Sequence, residues 1–225
     1  SIKGIIEDIN NDNRPDILVL VSQKEESVYY LENQGNLNFK IKKLLQLPPV
    51  YGTTDLLYAD IDNDNVKEII LACGDNADIS PVLKPYHGIR IYKLIKEKYE
   101  EVKFLQLNGI TKISVIDFDN DGKLDIAAVC NFADFRMEPY HNFVLLKNEN
   151  NLNFSYHYSS KTSVNKWLLM DVVDVNHDDK KDIILASHLI NMNIPPKVFE
   201  YWKSKNIELL LLLNKLILLC MFIIL

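Results

Sequence analysis

Several features of other protein classes are missing from this chain, and each absence narrows its function. Three widely spaced cysteines, Cys73, Cys130 and Cys220, supply neither a disulfide framework nor a C-x-x-C pair for zinc, so we expect buried free thiols. The chain has no run of lysine or arginine, and its 31 acidic residues exceed its 25 basic ones to give a net charge of −6. This balance argues against nucleic acid as the main partner.

Catalytic and targeting motifs are also lacking. The sequence contains no G-x-S-x-G, P-loop, G-x-G-x-x-G or H-E-x-x-H motif, so no enzymatic activity is expected. It shows no signal peptide, but it begins at Ser1, inside a repeat, which indicates a fragment or a processed chain and leaves the compartment open. No segment shows the periodicity of a helix, so no helix is predicted.

Four acidic segments of nine residues repeat along the chain and align without gaps. They read DINNDNRPD (8–16), DIDNDNVKE (60–68), DFDNDGKLD (117–125) and DVNHDDKKD (174–182), and successive copies start 52, 57 and 57 residues apart. Short β-branched runs such as IILAC and IAAVC flank them, which predicts that each acidic loop joins two strands. A period of this size is typical of the repeats of β-propellers.

Oxygen-bearing side chains recur at positions 1, 3, 5 and 9 of each loop, and Ca²⁺ binds through oxygen ligands. Position 6 is Asn, Gly or Asp, which tolerate a left-handed backbone, so a turn there brings these positions together and directs the carbonyl of position 7 to the same centre. We therefore predict up to four Ca²⁺ ions, bound more tightly by the second and third loops, which carry four acids at these positions, than by the first and fourth. The predicted ligands are Asp8, Asn10, Asp12, Arg14 and Asp16; Asp60, Asp62, Asp64, Val66 and Glu68; Asp117, Asp119, Asp121, Lys123 and Asp125; and Asp174, Asn176, Asp178, Lys180 and Asp182.

Two other interpretations of the acidic loops are weaker. An EF-hand loop starts in a similar way but closes with a glutamate at position 12, where this chain has Val19, Leu71, Ala128 and Leu185. Simple hairpin turns need no acid at position 9, yet all four copies have one. The pattern therefore favours metal-binding loops between strands.

A looser motif follows the acidic loops and completes a four-stranded unit. SVYYLENQGNLNF and NFVLLKNENNLNF, in the first and third copies, predict a strand, a turn and another strand. The D-x-[DN]-x-D-[GN]-x-x-D loop and this hairpin together resemble the FG-GAP/VCBS repeats of integrin-α-type β-propellers, over residues 2–214. The resemblance implies an all-β propeller of about four four-stranded blades in residues 1–214, with Ca²⁺ in the loop between the first two strands of each blade. Such propellers commonly have more blades, so this chain is either part of a longer propeller or a ring that closes unusually.

The resemblance also implies a function. It favours a module for protein or ligand binding or adhesion at the cell surface, outside the cell or in the periplasm, with structural calcium; a carbohydrate-active domain of the polysaccharide-lyase kind and a lectin are the alternatives. The long connections 74–88, 131–142 and 187–206 lie on the face opposite the acidic loops, so a protein or glycan ligand is expected there. The two PYH motifs, at 85–87 and 139–141, either line that ligand site or are inherited packing elements.

The chain ends in a hydrophobic segment, residues 215–225, whose status the sequence leaves open. Residues 207–214 continue the fourth repeat as its third strand, but LILLCMFIIL then replaces the expected hairpin. A truncation or frame error is the favoured explanation. A membrane anchor, at the short limit for a spanning helix, and an aberrant fourth strand are the alternatives.

Overall fold

The computed structural model describes residues 3–22, 25–75, 83–190 and 194–214, together with the backbone of residues 222–224. These residues form four sheets, each of four antiparallel strands that follow one another in chain order. The prediction of an all-β fold built from four-stranded units is confirmed. Sheet 1 contains β1 (Lys3–Glu7), β2 (Asp16–Val21), β3 (Glu26–Asn33) and β4 (Phe39–Leu47); sheet 2 contains β5 (Thr53–Ala59), β6 (Glu68–Cys73), β7 (Gly88–Ile95) and β8 (Lys98–Gln106); sheet 3 contains β9 (Ile110–Ile116), β10 (Asp125–Cys130), β11 (Phe143–Asn148) and β12 (Phe154–His157); and sheet 4 contains β13 (Trp167–Val173), β14 (Asp182–Ser187), β15 (Leu209–Leu212) and β16 (Phe222–Ile224).

The second strand of each sheet shows how the sheets are packed. Strands β6 (EIILAC) and β10 (DIAAVC) are buried at every residue, whereas β2 alternates between buried and half-buried residues. A strand that is apolar and buried on both faces lies between two layers, so sheets 2 and 3 are each covered on both sides. Three apolar clusters fill the spaces between sheets 1 and 2, between sheets 2 and 3, and between sheets 3 and 4. The predicted thiols Cys73 and Cys130 are buried and free, as expected, while Cys220 lies outside the described residues.

The first strands of successive sheets contact one another, β1 with β5, β5 with β9, and β9 with β13. An ion cluster links three of them, because the buried carboxylate of Asp55 on β5 lies 3.0 Å from Lys3 on β1 and 3.3 Å from Lys112 on β9. Among the described strands, sheet 1 makes no contact of this extent with sheet 4. The predicted four-stranded sheets are therefore confirmed, while the propeller stays a prediction because no closed ring is shown.

One prediction about secondary structure is wrong: the last long connection contains an α-helix. Helix α1 (Pro196–Lys205) follows Pro195, whose fixed φ suits a helix start, and ends at Asn206 in a left-handed conformation. Val198 and Trp202, four residues apart on one face, are buried against Phe135 and Tyr140. Two apolar positions in ten residues are too few to produce a visible helical period in the sequence.

Most of the hydrophobic segment 215–225 lies outside the described residues. The backbone of β16 is described, and it pairs antiparallel with β15, with Ile224 opposite Leu210. This pairing gives sheet 4 its fourth strand. Within the described part of the chain, no helix has the length and apolar character needed to cross a membrane.

Candidate metal centres

The four acidic loops connect the first and second strands of the four sheets, and all four have the same internal hydrogen bonds. The carboxylate at position 1 accepts the backbone N–H groups of positions 5 and 6. These bonds measure 2.8–3.2 Å and end on Asp8, Asp60, Asp117 and Asp174. The first aspartate of each copy thus closes the loop on itself, so the repeated sequence produces a repeated geometry.

Two positions of each loop have a left-handed backbone. Position 6 was predicted from its residue types, and its φ lies between +65° and +82° at Asn13, Asn65, Gly122 and Asp179. Position 4 was not predicted, and its φ is +57° to +59° at Asn11, Asn63, Asn120 and His177. Asparagine in three copies is the signal that could have indicated it, because asparagine tolerates this conformation better than most residues.

The aspartate at position 5 holds the second half of the loop. Its carboxylate accepts the backbone N–H of position 7 over 2.9–3.1 Å, in bonds from Arg14, Val66, Lys123 and Lys180. This bond fixes the peptide orientation at position 7. The proposed role of the carbonyl of position 7 as a ligand stays a prediction.

The acid at position 9 is the first residue of the second strand and is fully buried in each sheet, as Asp16, Glu68, Asp125 and Asp182. One oxygen accepts the backbone N–H of position 2 over 3.0–3.2 Å. In sheets 1, 3 and 4 the other oxygen accepts a 2.8 Å bond from the backbone N–H of Asn33, Asn148 or Asn214. In these three loops the buried aspartate therefore ties the loop to the end of the third strand.

Loop 2, residues 60–68, departs from this arrangement at two positions. Its buried acid is Glu68, one methylene longer than aspartate, and the register puts Leu94 where the other sheets have asparagine. In this loop Oε1 of Glu68 and Oδ1 of Asp62 are buried without a hydrogen-bond partner. Buried carboxylate oxygens that lack a hydrogen-bond donor are expensive, and the ammonium group of Lys93 lies 3.5 Å from Oε1 of Glu68 without a hydrogen bond to it.

The carboxylates of the second and third loops converge. Oxygen atoms of Asp60, Asp62 and Glu68 all lie within 4.8 Å of one another, and so do those of Asp117, Asp119 and Asp125. These are positions 1, 3 and 9 of the predicted ligand set; Asp64 and Asp121, at position 5, are not members of these groups. Three hard oxygen donors at this spacing, two of them with free buried atoms in loop 2, fit a calcium ion.

In the first and fourth loops an asparagine occupies position 3 and contacts position 5 instead. Asn10 accepts the backbone N–H of Asp12 and donates its amide to the Asp12 carboxylate, both over 3.0 Å. Asn176 makes the same two contacts with Asp178 over 3.1 Å. For these loops the predicted ligands stay a prediction.

The buried acids differ in their proton affinity. Burial raises the pKa of Glu68 to about 6 and also raises the pKa of Asp125. Burial acts in the same direction on Asp16, but hydrogen bonds from Asn33 and Tyr30 outweigh it and bring the pKa of Asp16 below its ordinary value. Burial thus disfavours the charged forms of Glu68 and Asp125, and a nearby cation would stabilise them.

Cationic side chains pair with acids of the first and third loops. Arg14 lies 2.5 Å from Asp12, Lys123 lies 2.6 Å from Asp121, and Lys147 lies 2.6 Å from Asp119. These side chains are a quarter to a half exposed, so their contacts are surface ion pairs of small net free energy.

On the opposite face, the two PYH motifs take part in packing. His87 is fully buried, and the ring of Tyr86 stacks on Tyr51 at 6.0 Å. Tyr140 packs against Trp202 of α1, with ring centroids 6.2 Å apart, and the next residue, His141, stacks on a tyrosine. The same face holds a cavity of about 390 Å³ lined by Asn165, Ser187, His188, Leu189, Trp202, Lys203, Asn206, Ile207 and Glu208.

Comparisons with known proteins agree with this description of the loops and sheets. Residues 8–71 match the family model described as the FG-GAP-like repeat, a segment that contains the first two acidic loops. The predicted resemblance to FG-GAP repeats is therefore confirmed, with the family match covering residues 8–71. No curated protein matches the chain.

One solved structure aligns with most of the chain. It is the crystal structure of the V. cholerae biofilm matrix protein Bap1, which has 16% sequence identity and a TM-score of 0.37. The alignment covers 95% of this chain and 39% of that one, so the chain spans well under half of the length of Bap1. A likeness at this TM-score carries no argument about function.

Proposed function

We propose that this chain is a calcium-binding FG-GAP repeat module that acts outside the cell as a scaffold for binding or adhesion. The observation that carries the proposal is in loop 2, where the fully buried Glu68 has an oxygen without a hydrogen-bond partner beside Asp60 and Asp62. The ammonium group of Lys93 lies 3.5 Å from that oxygen without a hydrogen bond to it, and a hard divalent cation would contact the oxygen directly.

Calcium has a structural role in this proposal. In the second and third loops three carboxylates lie within 4.8 Å of one another and repel each other, and a bound ion would offset the part of this repulsion that the nearby Lys93 and Lys147 leave. An ion that binds the folded loop but not the unfolded chain stabilises the fold by about 2.7 kcal/mol when the concentration of free ion is 100 times the Kd. The backbone hydrogen bonds of positions 1 and 5 prearrange the loop, so little ordering remains for the ion to impose.

An extracellular location follows from the same chemistry. Calcium is abundant outside cells and scarce in the cytosol, and weak extracellular sites have Kd values of about 10⁻⁴–10⁻³ M. FG-GAP-like repeats are associated with extracellular modules of the adhesion type, which supports the same location.

The partner-binding surface is proposed on the face opposite the acidic loops, where a protein or a glycan binds. The cavity near α1 is on that face, and its lining combines the polar groups of Asn165, His188 and Glu208 with the wall of Trp202. Concave sites with a few polar groups are typical of ligand binding. The PYH side chains are used in packing, so they do not favour the lectin or the carbohydrate-active alternative.

Calorimetry and thermal melting of the full chain test the calcium proposal. With about 10 mM Ca²⁺, roughly 100 times a Kd of about 10⁻⁴ M, we expect heat of binding and a midpoint about 5–10 °C higher per filled site than in excess chelator, because each site then contributes about 2.7 kcal/mol and about 1 kcal/mol shifts the midpoint by about 2–4 °C. Magnesium at the same concentration is expected to do less, since it demands a tighter octahedral site. No binding heat and an unchanged midpoint would refute the proposal.

A matched pair of variants locates the sites. Asp119→Asn gives the third loop the asparagine that the first and fourth loops have, so it preserves the fold and weakens calcium binding by about tenfold. Asp171→Asn removes an exposed carboxylate of β13 that belongs to no loop and leaves the binding unchanged. Equal calcium affinity in the two variants would exclude the third loop as a site.

A further inference from the structure

Lys93 on β7 reaches into the carboxylate cluster of loop 2. Its ammonium group hydrogen-bonds to Asp62, lies 2.6 Å from Oδ2 of Asp64 and lies 3.5 Å from Oε1 of Glu68. The Lys93 side chain is 21% exposed and that of Glu68 is fully buried. A positive charge of this chain therefore lies among three of the four acids that the loop offers to a metal ion.

The corresponding residues of the other sheets do not do this. The residue opposite the buried acid on the third strand is Glu32 in sheet 1, Lys147 in sheet 3 and Leu213 in sheet 4. Lys147 is the equivalent of Lys93, but its one ion pair among the described residues is with Asp119, and its side chain is 35% exposed. Contact with three acids is thus a property of loop 2 and not of the repeat.

The surroundings of Lys93 keep it charged. Burial acts to lower its pKa, but the hydrogen bonds to Asp62 and Asp64 outweigh burial and raise the pKa above its ordinary value.

We propose that Lys93 is an internal counter-cation of loop 2 that competes with calcium for the oxygens of Asp62, Asp64 and Glu68. This inference rests on the proposed calcium binding of the acidic loops. Calcium binds its oxygen ligands at 2.3–2.6 Å, so an ion on these carboxylates would lie close to the Lys93 ammonium group, and the two positive charges would repel each other. Calcium must displace Lys93, and loop 2 binds the ion more weakly than its four carboxylates alone would.

The inference changes the order of affinities expected from the sequence. By the number of acids, loops 2 and 3 are expected to bind calcium most tightly. Lys93 lowers the calcium affinity of loop 2, so loop 2 should bind the ion more weakly than loop 3. It also predicts that loop 2 stays closed without calcium, since Lys93 already offsets part of the repulsion.

Two variants of the full chain test the proposal. Lys93→Met keeps most of the aliphatic stem and removes the charge, and Lys147→Met makes the same change at the equivalent position of sheet 3. In excess chelator we expect Lys93→Met to lower the melting midpoint by about 5 °C more than Lys147→Met does, because the acids of loop 2 lose their counter-charge. With calcium we expect Lys93→Met to raise the affinity of one site by about tenfold.

The added variant Asp60→Asn shows where that gain resides. In the Lys93→Met background it should cancel the increase in affinity if the strengthened site is loop 2. If Lys93→Met and Lys147→Met had the same melting midpoint in chelator and the same calcium affinity, the proposal would be overturned.

A measurement on the wild-type chain does not depend on the folding of a variant. The rate at which an amine-acylating reagent modifies Lys93, followed by mass spectrometry, should rise several-fold when calcium displaces the ammonium group, while the rate at Lys147 changes less. An unchanged rate at Lys93 at saturating calcium would contradict the competition. If no variant and no wild-type chain binds calcium, the proposed function fails and the competition fails with it, but the melts in chelator still decide whether Lys93 is a counter-cation.

Discussion

At the scale of single residues, the buried carboxylate at position 9 has different hydrogen-bond partners in different copies of the repeat. The buried acid at position 9 is an aspartate with both oxygens satisfied by backbone N–H groups in sheets 1, 3 and 4. In sheet 2 it is Glu68, with an oxygen that has no donor. The backbone bond to the end of the third strand is thus present where the acid is an aspartate, whereas Glu68 keeps an oxygen for a cation.

The asparagine at the end of the third strand provides a prediction about stability. Asn148 is buried, and its side-chain amide donates to the carbonyls of Ile61, in sheet 2, and Leu124. Replacing it by alanine leaves two carbonyls without this donor, so Asn148→Ala should lower the free energy of unfolding by about 2–4 kcal/mol, measured with urea. Asn33→Ala, whose amide makes one exposed bond to Pro15, should cost about 1 kcal/mol. Equal losses of unfolding free energy in the two variants would show that the hydrogen bond from Asn148 to Ile61 does not stabilise the packing of sheet 3 against sheet 2.

His87 provides a prediction about pH. The side chain is fully buried without a hydrogen-bond partner, and burial, with Lys84 nearby, lowers its pKa to about 4. Because the unfolded chain takes up the proton near pH 6.5 and the folded chain only near pH 4, stability is fully present above pH 6.5 and is lost as the pH falls towards 4. The loss amounts to about 3 kcal/mol.

The pH dependence of His87 is isolated by comparison with a variant. Between pH 7.5 and pH 4.5 the free energy of unfolding of His87→Leu should fall less than that of the wild type. Urea titrations at each pH measure this difference. His157→Leu, at an exposed histidine, should follow the wild-type curve. Parallel curves for wild type and His87→Leu would mean that His87 is protonated in the folded chain without cost.

At the scale of elements, the sequence predicted what recurs locally and missed what depends on contacts. The acidic loops, the strands beside them and the left-handed residue at position 6 could be predicted, because each copy shows the same residue types at the same spacing. The role of Asn33, Asn148 and Asn214 could not, although the residue recurs, because its partner lies 17 to 32 residues away. Lys93 was missed for the same reason, since it reaches loop 2 from another strand.

Helix α1 was missed because tertiary packing stabilises it. Its buried face consists of Val198 and Trp202, and Trp202 also donates its indole N–H to the carbonyl of Ser163 over 2.9 Å. A short helix of this kind is marginal by itself in water. The sequence shows no strong helical pattern there, so a prediction from periodicity alone had no basis.

The dependence of α1 on its anchor can be tested on two neighbouring residues. Trp202→Ala removes the ring that packs against Phe135 and Tyr140, so it should cost about 3–5 kcal/mol and speed hydrogen exchange of the α1 amides. Tyr201→Ala changes a side chain that is about half exposed and should cost less than about 1 kcal/mol. Slow exchange of α1 in Trp202→Ala would contradict the view that tertiary packing holds the helix.

At the scale of the whole molecule, the acidic loops form one electrostatic surface on a stack of apolar sheets. Loops 2 and 3 are in contact, since Asn63 donates to the carbonyl of Gly122 over 3.3 Å. The sheets pack through three apolar clusters, and the chain carries a net charge of −6. Apolar packing therefore holds the sheets together, while repulsion among the loops opposes it unless cations neutralise them.

This balance predicts that the melting midpoint depends on salt differently with and without calcium. Raising NaCl from about 0.01 M to 1 M shortens the Debye length from about 30 Å to about 3 Å, which weakens repulsion between neighbouring loops. In excess chelator the melting midpoint should therefore rise with NaCl. At a calcium concentration that half-fills the sites, the midpoint should rise less or fall, because salt then also screens the attraction between the loops and the ion. Asp119→Asn, with one acid fewer, should show a smaller rise in chelator than the wild type. A rise of the same size with and without calcium would mean that salt acts on the apolar sheets and that repulsion among the loops does not limit the stability of this fold.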